Sequence, residues 1–409
     1  MGLIVQKFGG TSVGSIERID HVANRIIQTV EEGDKVVVVV SAMGKSTDTL
    51  VNMAHEITDK PSKRELDMLL ATGEQVTVSL LSMTLQKKGY QAVSLTGWQA
   101  GIRTENTHGN ARILDVETKR IQKYLEEGNI VICAGFQGMS EQGEITTLGR
   151  GGSDTTAVAI AAALEADRCD IFTDVTGVFT SDPRYIKDAR KLLSISYDEM
   201  LEMANLGAGV LHPRAVEFAK NYQVKLMVAS SFVEEEGTII EEEVSMEKNL
   251  IVRGIAFEND VTKITVVGLP NELMTLSTLF TTLSNEGINV DIIIQNENGN
   301  NTTNISFSVN GSLLEDIIDL LEQKKEELKF QDIYSETDLA KVSIIGSGMI
   351  SNPGVAAQMF SVLGESNVLI KMVSTSEIKV SVVINEADMI EAVETLHRTF
   401  QLEGEKVEA

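Results

Sequence analysis

Basic residues are scarce in this chain: 35 Lys and Arg against 60 Asp and Glu leave its 409 residues with a formal net charge of -25. Neutralising nucleic-acid phosphates needs a basic face, so this balance excludes such a partner. It also constrains any enzyme of phosphorylated substrates, which must gather its few cations or its backbone N–H groups in one place. Cysteine is almost lacking. Cys133 and Cys169 cannot build a disulfide framework, have no metal-ligand spacing and lie in apolar stretches, where buried, inert thiols are expected. The five histidines (His21, His55, His108, His212, His397) are scattered, so no metal site made of protein ligands is expected. No basic segment followed by an apolar run opens the sequence, and no uninterrupted apolar stretch looks long enough to cross a bilayer. The expectation is a cytoplasmic, reduced protein with no membrane partner.

What is present reads as an ordinary globular composition, 43% hydrophobic and 23% charged, and the length suits two or three domains. The valines of Val36–Val40 suit a strand buried on both faces, and Ile130–Ala134 and Asp170–Val175 read the same way. Between them, helical patterns run over Ile16–Val30, Leu66–Leu85, Arg112–Leu125 and Thr155–Leu164. Alternation of this kind implies an α/β domain with a mostly parallel sheet between helices. The dense acidic run Glu234–Glu243 marks a boundary, giving a first domain over residues 1–245.

Beyond it the chain repeats itself. Lys263-Ile-Thr-Val-Val-Gly268 matches Lys341-Val-Ser-Ile-Ile-Gly346 in residue type. Each is followed by a helical pattern (Leu276, Leu279, Phe280, Leu283; Val355, Met359, Phe360, Leu363), a strand (Ile288–Ile294; Val368–Val373), an alternating strand (Asn304–Val309; Lys379–Ile384) and a second helix (Leu313–Leu328; Asp388–His397). Two ferredoxin-like α+β units over 262–335 and 341–405 follow from that order. Paired units of this kind create clefts suited to small ligands.

Three segments carry chemistry. Lys7-Phe-Gly-Gly-Thr-Ser12 ends the first strand; its glycines let backbone N–H groups face phosphate oxygens and Lys7 adds a charge, although a plain turn reads alike. Thr147-Leu-Gly-Arg-Gly-Gly-Ser-Asp154 opens an alanine-rich helix. Its glycines form a nest, Ser153 or Asp154 can cap the helix, and Arg150 offers a planar fork for carboxylate or phosphate. Phe172-Thr-Asp-Val-Thr-Gly-Val-Phe179, continuing to Asp182-Pro-Arg184, places polar groups at the carboxyl edge of the sheet, where open α/β folds bind ligands. Ser41, Thr47 and Glu74 are further candidates; Glu74 could hold an ammonium group or simply serve a helix dipole. Val39 stands where a P-loop ending in Gly44-Lys45-Ser46 requires glycine, and no Gly-x-Gly-x-x-Gly follows an early strand.

Together with Val40-Ser-Ala-Met-Gly44, Gly73-Glu74, Gly135-Phe136 and Leu211-His-Pro-Arg214, these segments resemble the aspartate kinases of the amino acid kinase family, along nearly the whole chain. The C-terminal repeats, with Ser374-Thr-Ser-Glu377, resemble paired ACT domains of the lysine-sensitive type found in bacilli. The resemblance implies transfer of the ATP γ-phosphoryl group to L-aspartate with Mg²⁺, on the route to lysine, diaminopimelate, threonine and methionine. By position it puts Lys7, Phe8, Gly9, Gly10, Ser41, Thr173, Asp174, Phe179, Asp182 and Arg184 around ATP. Ser41, Thr47, Glu74, Phe136, Arg150, Gly151, Gly152, Ser153 and Asp154 would hold aspartate, with Glu74 on the ammonium, Arg150 on the α-carboxylate, and Lys7, Arg150 and Asp154 catalytic. It also implies a lysine effector between the repeats of two chains at Asn289, Asp291, Gln295, Val355, Ala356, Ser374, Thr375 and Glu377. A homo-oligomer through these repeats is implied, as α₂β₂ if a short subunit starts at Met246. Rival readings are a kinase of another small amino acid and an effector-binding regulator. Two departures stand out. Gly209 replaces a lysine usual before Val-Leu-His-Pro, leaving Arg184, Lys187 and Arg214 as alternative cations. The Asp-x-Pro-Gly common after the first ACT strand reads Asn271-Glu-Leu-Met274 here, whereas the second repeat keeps Asn352-Pro-Gly354.

Overall fold

A computed structural model describes residues 2–206, 209–242, 251–298 and 301–404. The chain divides into two units: 1–179, 191–205 and 209–248 form the first, and 180–190, 206–208 and 249–409 the second.

The first unit is built on an eight-stranded sheet. Its spatial order is Ser194–Ser196, Thr238–Glu241, Leu226–Ser230, Arg168–Thr173, Leu3–Phe8, Lys35–Val40, Ile130–Ala134 and Ala92–Leu95. All neighbours run parallel except Leu226–Ser230 against Thr238–Glu241. Val36–Val40 are fully buried in the middle of this sheet, as a run apolar on both faces requires. The helix Ile16–Glu31 starts where the Ser15 hydroxyl accepts the Arg18 N–H at 3.2 Å. It buries Ile19, Val22, Ala23 and Ile26, one face of a 3.6-residue period.

Four parallel strands end level with one another, Phe8 opposite Val40 and Phe172, and Val40 opposite Ala134. Their following turns are stitched together: Ser41 N–H donates to Phe8 O (3.1 Å), Gly135 N–H to Val40 O (3.0 Å) and Gly9 N–H to Phe172 O (3.3 Å). Four of the sequence motifs thereby line one sheet edge.

Three helix expectations change. Leu66–Leu85 is two helices, Lys63–Leu70 and Thr72–Lys87, and Glu74 lies in the first turn of the second. By length and composition Lys63–Lys87 is apolar enough to cross a bilayer. Here its Leu70, Val78, Leu81 and Leu85 are buried instead. Arg112–Leu125 is a strand, Ile113–Val116, then a shorter helix, Lys119–Glu126. Cross-strand pairing with Ile102–Thr104 overrides the helical periodicity there. Leu313–Leu328 is interrupted after Gln323.

The second unit is one six-stranded antiparallel sheet, ordered Ile293–Glu297, Thr302–Asn310, Gly254–Pro270, Asp332–Ile345, Lys379–Asn385 and Met372–Thr375. The first repeat supplies its own last strand at its end, whereas the second is completed by a strand that lies upstream of both repeats. The Gly254–Glu258 stretch pairs with Lys341–Ile345 in the second repeat, and Asp332–Glu336 pairs with Lys263–Val267 in the first. Two helix-covered cores result, one around Ile264, Phe307 and Leu321, the other around Val342, Val382 and Leu396. The segment Thr180–Arg190, which follows directly on the Phe172–Phe179 motif, packs here: Ile186 joins the second core, and Thr180 Oγ1 bonds His397 Nε2 at 2.9 Å and Leu402 O at 3.0 Å.

Candidate active site

The turn after the first strand is tight because it must be. A Cβ on Gly10 would stand 2.9 Å from Ala42 O and 3.1 Å from Gly44 O, and Gly44 N–H donates to Gly10 O at 2.9 Å. Lys7, at the strand's end, is buried. Its Nζ meets Asp154 Oδ1 at 2.6 Å, with side-chain exposures of 11% and 13%. Asp154 lies in the first turn of the helix Gly152–Ala163, so a cation, a carboxylate and a helix N-terminus converge.

The turn before that helix needs its glycines. Gly149 and Gly151 adopt φ of +76° and +67°, and a Cβ on Gly151 would fall 2.1 Å from Cγ of the His212 ring. Ser153 is buried against Gly135, where a Cβ would reach its Oγ at 2.7 Å. Phe136 holds φ +69°, a left-handed conformation that costs a bulky side chain about 1–3 kcal/mol. The Thr156 hydroxyl accepts its N–H (3.2 Å) and its carbonyl accepts the Leu148 N–H (2.9 Å), which pins it there.

Glu74 is 2% exposed. Burial pushes its carboxyl up to about 7, against the opposing pull of its own N–H, the Ala42 N–H and the Gln137 amide. Desolvation of the charged form is the cause. Thr173 ends the strand Arg168–Thr173, where Ser231 N–H donates to its carbonyl at 2.8 Å, and Asp174 follows directly. Ser41 and Thr47 are partly exposed on the adjoining turn and helix start. Arg150 is exposed, and no hydrogen bond or ion pair holds its guanidinium among the described residues.

Asp182 and Arg184 belong to the second unit and form a bidentate ion pair with each other, at 2.6 and 3.0 Å. Lys187 is exposed on the same segment. Arg214 is not a spare phosphate cation. Its guanidinium clamps Asn110 Oδ1 (2.9 Å), Leu148 O (2.7 Å) and Ala111 O (3.0 Å), fixing the chain under Gly149. Gly209 adopts φ +64°, so a lysine there would need a backbone that L side chains avoid. Gly207 and Met246 lie outside the described residues.

Two residues went unassigned in the sequence. His212 caps the helix Pro213–Tyr222, its Nδ1 accepting Arg214 N–H at 3.3 Å, and its ring packs on Gly151. Burial lowers its pKa, with Asp154 opposing. The Leu211-His-Pro-Arg214 motif signalled it without a role. Gln137, beside Glu74, carried no signal beyond following Gly135-Phe136.

Of the effector residues, Gln295 lies in one edge strand of the six-stranded sheet, with Asn289 and Asp291 in the segment leading into it, and Ser374 and Thr375 lie in the other edge strand, with Glu377 just beyond its end. Five strand spacings separate these edges by about 24 Å. Val355 is buried in the second core beside the partly buried Ala356. Asp291 is already engaged, its carboxylate 2.5 Å from Nζ of the buried Lys341, which also meets Glu258 at 2.8 Å. Both cysteines are buried, and burial pushes the Cys133 thiol up to about 12.

Residues 2–230 match the amino acid kinase family and residues 342–400 the ACT domain. The aspartokinase of Bacillus sp. strain MGA3 is 67% identical over 409 residues, covering 100% of both chains. Aspartokinase 2 of Bacillus subtilis strain 168 is 68% identical over 402 residues, covering 98% of each. Among solved structures, Escherichia coli aspartokinase III in complex with aspartate and ADP aligns with a TM-score of 0.79 at 27% identity, covering 97% of this chain and 99% of that one. Aspartate kinase from Synechocystis is 44% identical with a TM-score of 0.55, covering 98% of this chain and 69% of that one. On the fold, the phosphate-type turn and these full-length likenesses, the chain belongs to the aspartokinases of the amino acid kinase family.

Proposed function

We propose that this chain phosphorylates the β-carboxylate of L-aspartate with ATP, giving 4-phospho-L-aspartate and ADP. The observation that carries the reading is the Lys7–Asp154 contact at 2.6 Å, set between a Gly-Gly turn and a helix N-terminus. A carboxylate oxygen of aspartate attacks the γ-phosphorus as the bond to the β,γ-bridging oxygen breaks. No base is needed, because the nucleophile is already ionised near neutral pH. The protein's task is in-line positioning and charge neutralisation. Lys7 and the backbone N–H group of Gly10 face the phosphates, Glu74 takes the α-ammonium and Arg150 the α-carboxylate.

Among the described residues no group of three or more His, Cys, Asp or Glu could hold a metal ion. That donor set suits a Mg²⁺ carried on nucleotide phosphates, which asks one or two carboxylates of the protein, Asp154 being the residue placed for it. Bound there, the ion would neutralise phosphate charge.

Because Glu74 titrates near 7, ammonium recognition strengthens as pH rises through that value. The KM for aspartate is expected to fall about tenfold from pH 6 to pH 8 while the KM for ATP stays level, following the ionised fraction of one carboxyl. Steady-state kinetics across that range would sink the assignment if the aspartate KM stayed flat. Parallel assays with aspartate and glutamate separate this function from that of a kinase of another amino acid. Measurable aspartyl phosphate eliminates a purely regulatory protein.

We read residues 262–335 and 341–405 as two ACT domains that bind lysine between two chains. The opposite-edge placement of the two residue sets supports a two-chain site, and the E. coli aspartokinase III structure in complex with lysine and aspartate is a relative of like design. A short subunit starting at Met246 would keep Gly254–Glu258, the strand that completes the second repeat, which favours an α₂β₂ assembly. Isothermal titration of the full chain with lysine is expected to show saturable binding, and D291N to weaken it about tenfold. Absence of heat with the wild-type chain would remove the effector half of the reading.

A further inference from the structure

Glu74 has two oxygens and two outside donors. Ala42 N–H reaches Oε1 at 3.1 Å and the Gln137 amide reaches Oε2 at 3.4 Å. Gln137 is fully buried, and its orientation is not free. Its Oε1 accepts Gly97 N–H at 3.4 Å, while Nε2 also donates to Ala71 O at 2.8 Å, one residue before the helix that carries Glu74. Reversing the amide would set donor against donor at Gly97 and acceptor against acceptor at Ala71 and Glu74. The strained Phe136 immediately precedes it, turning the chain from the end of the Ile130–Ala134 strand into the strand that Gln137 begins. Gly97 must lack a side chain, since a Cβ there would lie 2.1 Å from Gln137 O.

We infer that Gln137 is a positioning residue for amino acid recognition: through its locked amide it holds the Glu74 carboxylate with a lone pair on each oxygen turned to the substrate ammonium. The inference rests on the reading of Glu74 as the ammonium site. No charged side chain acts on Glu74 among the described residues. Of the charged groups on neighbouring elements, Lys7 is paired with Asp154, Asp67 is taken up by His108, Gly109 and Thr147, and Lys45 is exposed. Gln137 is therefore the side chain that biases Glu74 toward its ionised form.

The test is a double-mutant cycle of Q137M and E74Q in the full chain, with kcat and both KM values measured from pH 6 to 9 and melting midpoints recorded. Q137M is expected to raise the aspartate KM about tenfold at pH 7 with kcat and the ATP KM within about twofold. Its aspartate KM should recover toward the wild-type value at pH 9, because the pH at which Glu74 ionises moves up. In the E74Q background Q137M should add less than about twofold, since the two act as one unit. Additive effects, an unshifted pH profile, or equal losses in both KM values would overturn the inference. If E74Q itself leaves the aspartate KM unchanged, the ammonium-site reading fails instead. Should Q137M not fold, Q137N keeps a buried amide withdrawn by one methylene and is expected to show the same pH-dependent KM defect.

Discussion

Replacing Lys7 by methionine is expected to lower kcat by at least a thousandfold while leaving the protein folded. The ammonium sits 2.6 Å from Asp154, and both side chains are nearly buried, so methionine leaves a carboxylate without its cation. That carboxylate would then face incoming phosphates as a like charge. Removing one preorganised electrostatic group from an active site commonly costs about 10²–10³ in kcat, and here two effects of the same sign combine. No lysine stands at Gly209 to compensate, and Arg214 is committed to Asn110, Leu148 and Ala111. The double variant K7M/D154N should recover stability lost in K7M, because it removes the orphaned charge, but not activity. Turnover measured by ADP release, with thermal melts of all variants, decides the matter; a K7M enzyme within tenfold of wild type would rule out Lys7 as the phosphate cation.

G151A is the second large effect, and it acts through shape. The residue sits at φ +67°, where an added Cβ costs about 1–2 kcal/mol. The same Cβ would overlap the His212 ring, 2.1 Å from Cγ, so the ring or the turn must move. His212 caps the Pro213–Tyr222 helix, and Gly152, next in the chain, has no room to shift toward Phe136, since even a Cβ there would lie 2.9 Å from the ring Cδ2. The displacement therefore spreads to both sides of the aspartate site. The expectation is a loss of at least a hundredfold in kcat/KM for aspartate together with a fall in melting temperature of several degrees. G143A is the control: its φ of +79° carries the same backbone penalty, but nothing lies within 4 Å of the added atom. If the two variants behaved alike, the packing argument against His212 would be wrong.

Much of the molecule was legible from local pattern. The all-valine run Val36–Val40 could only be a strand covered on both faces, and Ile130–Ala134 follows the same logic to the residue. The glycine turns at Gly9-Gly10 and Gly149–Gly152 announced a close backbone approach, and both occur where the backbone leaves no room for a side chain or adopts positive φ. The break between Leu70 and Thr72 was not visible, because apolar spacing continues across it and what divides the helices is the packing of Gly73 on Ala42, where a Cβ would approach to 2.8 Å. Nor was the strand at Ile113–Val116, whose partner Ile102–Thr104 supplies the hydrogen bonds that its sequence alone does not imply.

The sequence by itself determined the alternation of strands and helices, the repeat, and the chemistry of the Lys7 and Arg150 segments. Hydrophobic period and glycine content are properties of neighbours along the chain. Only the tertiary structure decided which of the charged groups are available. Arg214 and Arg184 stood alike in the sequence as candidates for the cation missing at Gly209. Folding commits the first to three oxygens on distant segments and the second to Asp182, within the second unit. Asp291 was named only for an effector, and folding sets Lys341, 50 positions away, against its carboxylate. Glu74 could have been an ordinary helix-start glutamate; enclosure by the Ala42 turn and Gln137 is what moves its ionisation to about 7. A charge's partners and its solvation are set by segments remote in sequence, and so no local pattern contains them.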